Sequence, residues 1–285
     1  MSFDLQDVVT GMRFPEGNRW RDGKLWFSDM HTGEVFVFDP AVDQQPRLLA
    51  TLDCQSSGLG WLPDGRFIVS AMNERVLRTI KADGSTEVFA DLTGVSDSLI
   101  NDLMVDEDTG RTYVGAFGYD VYGGEEPKLG PLYVVETDGS ASLAADGFVF
   151  PNSANIIPGT RTLVLGETWG HLMTAFDIQP DGGLDNRRTW AELPDDKTPD
   201  GSCVDLEGGI WISSLDTGEF LRVLEGGEIT DRIEVPGRCA IDCVLGGPDG
   251  RTLYISTADS YMPPVTEATR DGKIQAVRVS VPGPV

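Results

Sequence analysis

Four side chains with oxygen donors occupy the same place in a pattern that recurs along the chain. They are Glu16, Asn101, Asn152 and Asp200, each four positions before the apolar anchor of a short strand-like run. Two carboxylates and two amides form the kind of shell that hard divalent cations such as Ca²⁺ and Mg²⁺ prefer. No His or Cys occupies this position in any copy, which argues against a dedicated zinc or copper site. Asn and Asp also cap turns before strands, so it is the shared register of the four that favours a cation site.

The elements that must position these residues repeat six times. Each copy reads as an apolar strand, a polar turn that usually contains Gly, and a second apolar strand. The anchors of the second strands lie 42 to 51 residues apart, at Trp26, Ile68, Tyr113, Val164, Trp211 and Tyr254. The sequence therefore predicts an all-β fold, a six-bladed β-propeller with four-stranded antiparallel blades.

The ends of the chain should complete this architecture. Strand-like segments around Val8–Val9 and Ala276–Val279 can share one blade and so close the ring with terminal strands. A closed ring leaves few exposed strand edges. We therefore predict one propeller domain that spans residues 1–285.

Composition excludes several classes of partner. The formal net charge is −24, from 46 acidic and 22 basic residues, so we expect neither nucleic acid nor an anionic membrane as a partner. No apolar run approaches the roughly 18 residues that a membrane span needs. The segment Met1–Asp7 lacks the basic and apolar parts of a signal peptide, so we expect a cytoplasmic protein.

Four short motifs together resemble a known family. They are Phe14-Pro15-Glu16-Gly17, Asn101-Asp102, Phe150-Pro151-Asn152-Ser153 and Pro199-Asp200-Gly201-Ser202-Cys203-Val204-Asp205. They are similar to the signature of the senescence marker protein 30/gluconolactonase family, which also includes luciferin-regenerating enzymes, and the resemblance extends from about residue 10 to residue 275. It implies a six-bladed propeller that binds one divalent cation and hydrolyses a lactone. Ca²⁺ is the expected ion, with Mg²⁺, Mn²⁺ or Zn²⁺ as alternatives.

The resemblance also implies roles for individual residues. Glu16, Asn152 and Asp200 match the metal ligands, and Asn101 matches a residue on the metal or on the substrate. Asp200 and Asn101 are thus the catalytic candidates, with Asp200 acting as general base or as nucleophile. Leu99 stands where sugar-lactone members commonly carry Arg, and its lack of a donor disfavours polyhydroxy or anionic substrates. We therefore expect a small, rather apolar lactone or ester as substrate.

The loops between second and third strands should open on the face that carries the cation. Loops over a rigid scaffold are where pockets and lids form. Aromatic residues, Met and both histidines of the chain cluster in these loops. The predicted substrate-pocket residues are Leu99, His31, Phe117, Tyr119, Trp169, His171, Tyr261 and Met262.

Two other functions are compatible with the same pattern. A phosphotriester or aryl-ester hydrolase of the diisopropylfluorophosphatase type resembles the same Glu-Asn-Asn-Asp arrangement. A non-catalytic propeller could bind a ligand and use the cation only for stability. A Ser-His-Asp triad is not expected, because the chain has no Gly-x-Ser-x-Gly elbow.

Overall fold

A computed structural model describes residues 3–284 of the chain. Met1 and Ser2, which begin the segment used above for the signal-peptide argument, lie outside the described residues, as does Val285. The strands form six four-stranded antiparallel sheets arranged as a six-bladed β-propeller. The predicted fold class is therefore confirmed.

The strands follow one another from blade to blade in chain order. The first three blades contain β2 (Pro15–Arg21), β3 (Lys24–Asp29), β4 (Glu34–Phe38), β5 (Arg47–Thr51), β6 (Ser56–Trp61), β7 (Phe67–Ala71), β8 (Val76–Ile80), β9 (Thr86–Asp91), β10 (Ile100–Val105), β11 (Thr112–Ala116), β12 (Gly130–Val135) and β13 (Ala141–Phe148). The last three contain β14 (Pro151–Ile156), β15 (Thr162–Glu167), β16 (Leu172–Ile178), β17 (Leu184–Glu192), β18 (Pro199–Val204), β19 (Ile210–Ser214), β20 (Glu219–Val223), β21 (Ile229–Glu234), β22 (Cys239–Gly246), β23 (Thr252–Ala258), β24 (Gly272–Arg278) and β1 (Gln6–Met12).

Both ends of the chain build the last blade. Its strand order is β1-β24-β23-β22, and β1 pairs antiparallel with β24, with Gln6 opposite Ala276 and Met12 opposite Gly272. The predicted closure by terminal strands is therefore confirmed. The innermost strands β2, β6, β10, β14, β18 and β22 contact one another in sequence around the central channel.

Each innermost strand has an irregular register near its start. Pairing with the second strand shifts between Glu16 and Arg19 in β2, and the other five innermost strands shift at the corresponding place. A bulge of this kind turns a side chain away from its regular direction and commonly lies beside a functional site. Asn101, Asn152 and Asp200 all fall inside such a shift. The local backbone thus explains how polar side chains come to face the channel.

Apolar side chains fill the space between and within blades. One such cluster contains Trp211, Phe220, Leu253 and Ile255, all fully or almost fully buried. The segment after β23, which the sequence predicts to be a loop, contains a short helix, α1 (Pro263–Thr269). Its first positions are proline, which suits the start of a helix. Within residues 3–284, no helix has the length and apolarity that crossing a membrane requires.

Candidate cation and catalytic site

Three of the four predicted ligands meet at a small cavity in the central channel. Glu16 reaches it from β2, Asn152 from β14 and Asp200 from β18, and Asp102 and Asp242 also line it. The cavity has a volume of about 10 Å³, counted as space open to the centre of a water molecule. That is room for one water or one ion. We call it the cation cavity.

Hydrogen bonds hold Asp200 in place. The Asn152 side-chain amide donates to Asp200 Oδ1 and also to Thr168 Oγ1, the latter at 3.1 Å. Ser153 Oγ donates to the backbone carbonyl of Asp200 at 2.6 Å. Both Asn152 and Asp200 are buried. The innermost strand of the fourth blade thus holds Asp200 of the fifth blade through its side chain and its backbone.

The carboxylates lack compensating positive charge. Glu16 Oε1 is buried and has no hydrogen-bond partner. Burial raises the pKa of Glu16 well above its usual range, and the charge of Asp200 raises it further. Burial likewise raises the pKa of Asp200, and the charge of Asp242 adds to this. Since an unpaired buried carboxylate is costly, these oxygens fit a divalent cation held by oxygen donors.

The donor set also limits which cation fits. Across residues 3–284, no group of three or more His, Cys, Asp or Glu side chains has metal-binding geometry. The oxygen donors that line the cation cavity include the Asn152 amide and the carboxylates. Such a mixture suits a hard cation better than zinc or copper.

Two further carboxylates line the cavity that sequence reasoning did not select. Asp242 Oδ2 accepts a hydrogen bond from the Asn18 backbone N–H at 2.6 Å, and Oδ1 accepts one from Cys243 N–H at 2.7 Å. Burial, followed by the charge of Asp102, raises the pKa of Asp242 to about 7. A Cβ at Gly201 would lie 2.0 Å from Asp242 Oδ1, so only glycine allows this approach. Asp102 and Asp242 both lie at register shifts of their innermost strands, which the sequence does not mark.

One arginine closes the channel beneath these carboxylates. Arg19 Nη2 lies 2.9 Å from Asp102 Oδ1 and donates to the Leu103 carbonyl at 2.7 Å. It offsets one of the four carboxylates around the cavity, so the site keeps an excess of negative charge. That excess attracts cations.

Asn101, the fourth predicted ligand, has a different position. It is buried on β10, but its neighbour Asp102 lines the cation cavity in its place. The structure thus brings Glu16, Asn152 and Asp200 together and places Asn101 beside them.

Comparison with known proteins shows which family the chain belongs to. The model of a family described as SMP-30/Gluconolactonase/LRE-like region matches residues 14–259. The chain belongs to this family. The matched span includes Glu16, Asn101, Asn152 and Asp200, so the resemblance recognised in the sequence is confirmed.

Individual relatives are similar over most of the chain. A 6-deoxy-6-sulfogluconolactonase of Pseudomonas putida is 25% identical over 267 residues, which are 92% of this chain and 89% of the relative. A pentonolactonase of Haloferax volcanii is 26% identical over 255 residues, covering 88% and 84% of the two chains. The solved structure of a calcium-binding protein, regucalcin, from Agrobacterium tumefaciens matches with a TM-score of 0.84 at 21% identity, covering 100% and 96%. At that identity the structural likeness supports the fold alone.

An aromatic cluster covers the cation cavity of this family member. Leu99, Phe117, Tyr119, Trp169 and Tyr261, all predicted pocket residues, belong to one apolar cluster. The cluster also contains residues that sequence reasoning did not select, among them Phe14, Tyr122, Phe150 and Ile241. Because Ile241 lines the cation cavity as well, the cluster lies directly over it.

Phe150 occupies the centre of the aromatic cluster. Its ring centroid lies 4.4 Å from those of both Phe117 and Trp169. Its φ of 57° is in the left-handed region, which is rare for a bulky residue and stores strain. The same backbone segment continues through Pro151 to Asn152, so this strained residue links the cover to the cation cavity.

Tyr122 brings a hydroxyl group close to the carboxylates. Burial raises its pKa, and the charges of Glu16 and then Asp200 raise it further. The phenol therefore stays protonated and can donate a hydrogen bond. Its ring packs edge-on against His31, with 6.4 Å between centroids.

The two histidines and Met262 differ in their contacts with the aromatic cluster. The His31 ring stacks on Phe14 at 4.9 Å, and its Nδ1 lies 2.7 Å from Thr266 Oγ1 of α1. Burial, with the charge of Arg13, lowers the pKa of His31 to about 4, so the ring is neutral at pH 7. His171 Nδ1 instead lies 2.8 Å from the Lys197 carbonyl, and Met262 is exposed at the start of α1. Of these three predicted pocket residues, His31 packs against the cluster.

Proposed function

We propose that this chain is a divalent-cation-dependent lactonase that opens a rather apolar lactone at the cation cavity. The observation that carries the proposal is a pair of carboxylates, the buried Asp200 and the half-buried Glu16 with its enclosed Oε1, which face an ion-sized cavity without enough positive charge. Two relatives named as lactonases support the reaction class, a hydrolysis of a cyclic ester bond.

Glu16, Asn152 and Asp200 would hold the cation, with Asn101 completing the shell or orienting the substrate. Ca²⁺ is the proposed ion because the donors are oxygens. When bound, such a cation polarises the lactone carbonyl and stabilises the oxyanion that forms on it.

Asp200 is the proposed general base. It takes one proton from water while the water oxygen adds to the carbonyl carbon of the lactone. When the ring C–O bond breaks, Asp200 returns that proton to the leaving alkoxide. The product is a hydroxy acid, and the carboxylate is regenerated. Ser153 and Asn152 hold Asp200 in position for both transfers through their hydrogen bonds.

The aromatic cluster sets the proposed substrate class. Leu99, Phe117 and Trp169 present hydrocarbon surface where a polyhydroxy ring would need hydrogen-bond partners. The lactonases named above carry names of sugar-derived lactones. An apolar preference would therefore distinguish this chain from them.

The test compares kcat/KM for dihydrocoumarin, an apolar lactone, with that for glucono-1,5-lactone. We expect the wild type to favour dihydrocoumarin, and Leu99→Arg to move the ratio about tenfold toward the sugar lactone, a typical size for one pocket contact. Leu143→Arg, at an exposed position on β13, is the matched control and should leave the ratio unchanged. A wild type that prefers the sugar lactone contradicts the substrate class, and hydrolysis of neither lactone contradicts the reaction.

A further inference from the structure

A second cavity lies at the opposite mouth of the channel, and the proposed lactonase reaction does not use it. Its volume is about 1370 Å³, far larger than the cation cavity. All six blades contribute to its wall, through the ends of the innermost strands and the turns that follow them. Arg19 lines it and pairs with Asp102 of the cation cavity, so this ion pair separates the two spaces. We call it the far cavity.

The wall of the far cavity is largely apolar. Leu59, Trp61, Val105, Ile156 and Val204 line it near the channel axis. A concave apolar space with a few polar groups is the usual form of a small-molecule site. Its size admits an organic molecule with two or more rings.

Trp20 provides an aromatic surface at one side of the far cavity. Its ring stacks on Tyr254 with 5.2 Å between centroids and 13° between planes. A Cβ at Gly246 would lie 2.3 Å from the Trp20 ring, so that strand also supports it from behind. The ring is thus fixed by the last blade and lines the cavity. A fixed indole face attracts cations as well as flat apolar groups.

Some of the charged residues around the far cavity have a partner for their charge, and others do not. The three arginines are engaged: Arg19 pairs with Asp102, Arg161 lies 2.6 Å from Asp106, and the Arg21 guanidinium lies 4.9 Å from the Trp61 ring centroid. The cavity is also lined by five acidic residues, Asp22, Asp39, Asp106, Glu107 and Asp108. In the described part of the chain, no Lys or Arg lies within 4 Å of Asp39 or Glu107. The lining therefore keeps a net negative charge.

Asp39 is the acidic residue of the lining whose charge acts on the stacked pair of Trp20 and Tyr254. Burial and then the charge of Asp39 raise the pKa of Tyr254 to about 12. Asp39, Trp20 and Tyr254 all line the far cavity, so a carboxylate and the indole surface share its wall. An aromatic face beside a carboxylate is the combination that recognises organic cations.

We propose that the far cavity binds an apolar organic cation, a flat aromatic molecule with a fixed positive charge, independently of the cation cavity. The apolar wall takes the hydrocarbon part, while the Trp20 face and the Asp39 and Glu107 carboxylates attract the charge. An anion of the same size is disfavoured by the negative lining and by the chain's overall charge of −24.

The probe is thioflavin T, a flat benzothiazole cation, titrated by fluorescence and calorimetry. Its neutral analogue without the ring N-methyl group has nearly the same shape, and 8-anilinonaphthalene-1-sulfonate is an anion of comparable size. We expect one thioflavin T per chain, with the neutral analogue and the anion at least about tenfold weaker. Equal affinity for the cation and the neutral analogue would overturn the charge selection, and absence of thioflavin T binding would overturn the site.

Variants locate the bound probe. Met104→Arg adds a positive charge to the lining of the far cavity and should weaken thioflavin T at least tenfold, whereas Val88→Arg, on an exposed position of β9, should not. Asp39→Asn should weaken it severalfold. Asp83→Asn is the matched control, because each aspartate accepts a turn hydrogen bond from the residue two positions on, at 3.0 Å.

Lactone hydrolysis separates this proposal from the proposed function. Met104→Arg should keep wild-type kcat/KM on dihydrocoumarin and the wild-type melting temperature, which shows that the variant is folded. Unchanged thioflavin T affinity in Met104→Arg, or competitive displacement of thioflavin T by the lactone, would place the probe elsewhere and overturn the proposal.

Discussion

The two mouths of the channel are built by the same six strands and differ in almost every property. Near the strand starts, register shifts turn carboxylates and one amide, that of Asn152, into an ion-sized cavity beneath an aromatic cluster. At the strand ends, regular alternation presents Leu59, Ile156 and Val204 to a cavity of about 1370 Å³. The larger space therefore lies away from the groups that can do chemistry. Buried charge without a partner marks the reactive mouth better than cavity size does.

The largest expected effect is on kcat/KM, which should fall for a variant of the cation cavity and not for a variant of the far cavity. Asp200→Asn should lower kcat/KM on dihydrocoumarin by about 10³-fold, since it removes the proposed base and one cation ligand. Asp39→Asn, at the far cavity, should leave kcat/KM within about twofold, a change too small for loss of a catalytic group. Steady-state assays of both variants, with melting curves to confirm folding, make the comparison. An Asp200→Asn enzyme with more than a tenth of wild-type activity would assign the base elsewhere.

A smaller effect concerns stability at the far mouth. Asp106 is buried and accepts hydrogen bonds from Arg161 at 2.6 Å and Thr109 at 2.7 Å. Burial acts to raise the pKa of Asp106, but these bonds outweigh it and hold the pKa below its ordinary value. Asp106→Asn should lower the free energy of unfolding by about 2 kcal/mol at pH 7.

The pH dependence of that loss follows from the sign of the shift. A lowered folded-state pKa contributes stability that is present above the ordinary Asp value of about 4 and disappears as pH falls through the folded value. Urea titrations should therefore show the wild type and Asp106→Asn converging toward pH 2. Asp108→Asn is the control, since Asp108 contacts the same Arg161 at 3.4 Å but its side chain is 83% exposed. An equal loss from both variants would refute a special role for the buried carboxylate.

The smallest expected effect is a difference in activity between variants of the two histidines, His31 and His171. His31→Ala should lower kcat/KM on dihydrocoumarin severalfold, because the ring packs against the aromatic cluster. His171→Ala should change it by less than about twofold, as for a residue outside the reacting groups. Because the pKa of His31 is lowered to about 4, the pH–rate profile of His31→Ala should parallel that of the wild type between pH 5 and 8. If the wild-type pH–rate profile showed an ionisation in this range that the His31→Ala profile lacked, His31 would transfer a proton in the reaction.

The fold and much of the cation cavity could be predicted from the sequence, because both follow from one repeat. The spacing of the second-strand anchors predicted the six blades, and Glu16, Asn152 and Asp200 were aligned by the anchors of the first strands, each four positions further on. Asp102 and Asp242 were not predicted, since a register shift in a strand has no residue signature that separates it from regular pairing. Phe150 was missed for a similar reason, because a left-handed φ at a phenylalanine before proline runs against its local preference.

The far cavity was also beyond sequence reasoning. Trp20 and Trp61 stand at the positions of strand anchors, where apolar residues are expected to be buried. Only the width of the channel at the strand ends decides whether such residues fill a core or line an open space. That width depends on how six blades meet, which no single blade specifies.

Dependence on one divalent cation is the central claim, and a Ca²⁺ titration of chelator-treated protein tests it most directly. Calorimetry, the rate of dihydrocoumarin hydrolysis and the melting temperature are followed together. We expect one Ca²⁺ per chain, activity that returns with the same midpoint, and a stabilisation of about 2.7 kcal/mol at a hundredfold excess over Kd. Glu16→Gln should lose all three responses. Chelated wild-type protein with full activity and an unchanged melting temperature would contradict the claim.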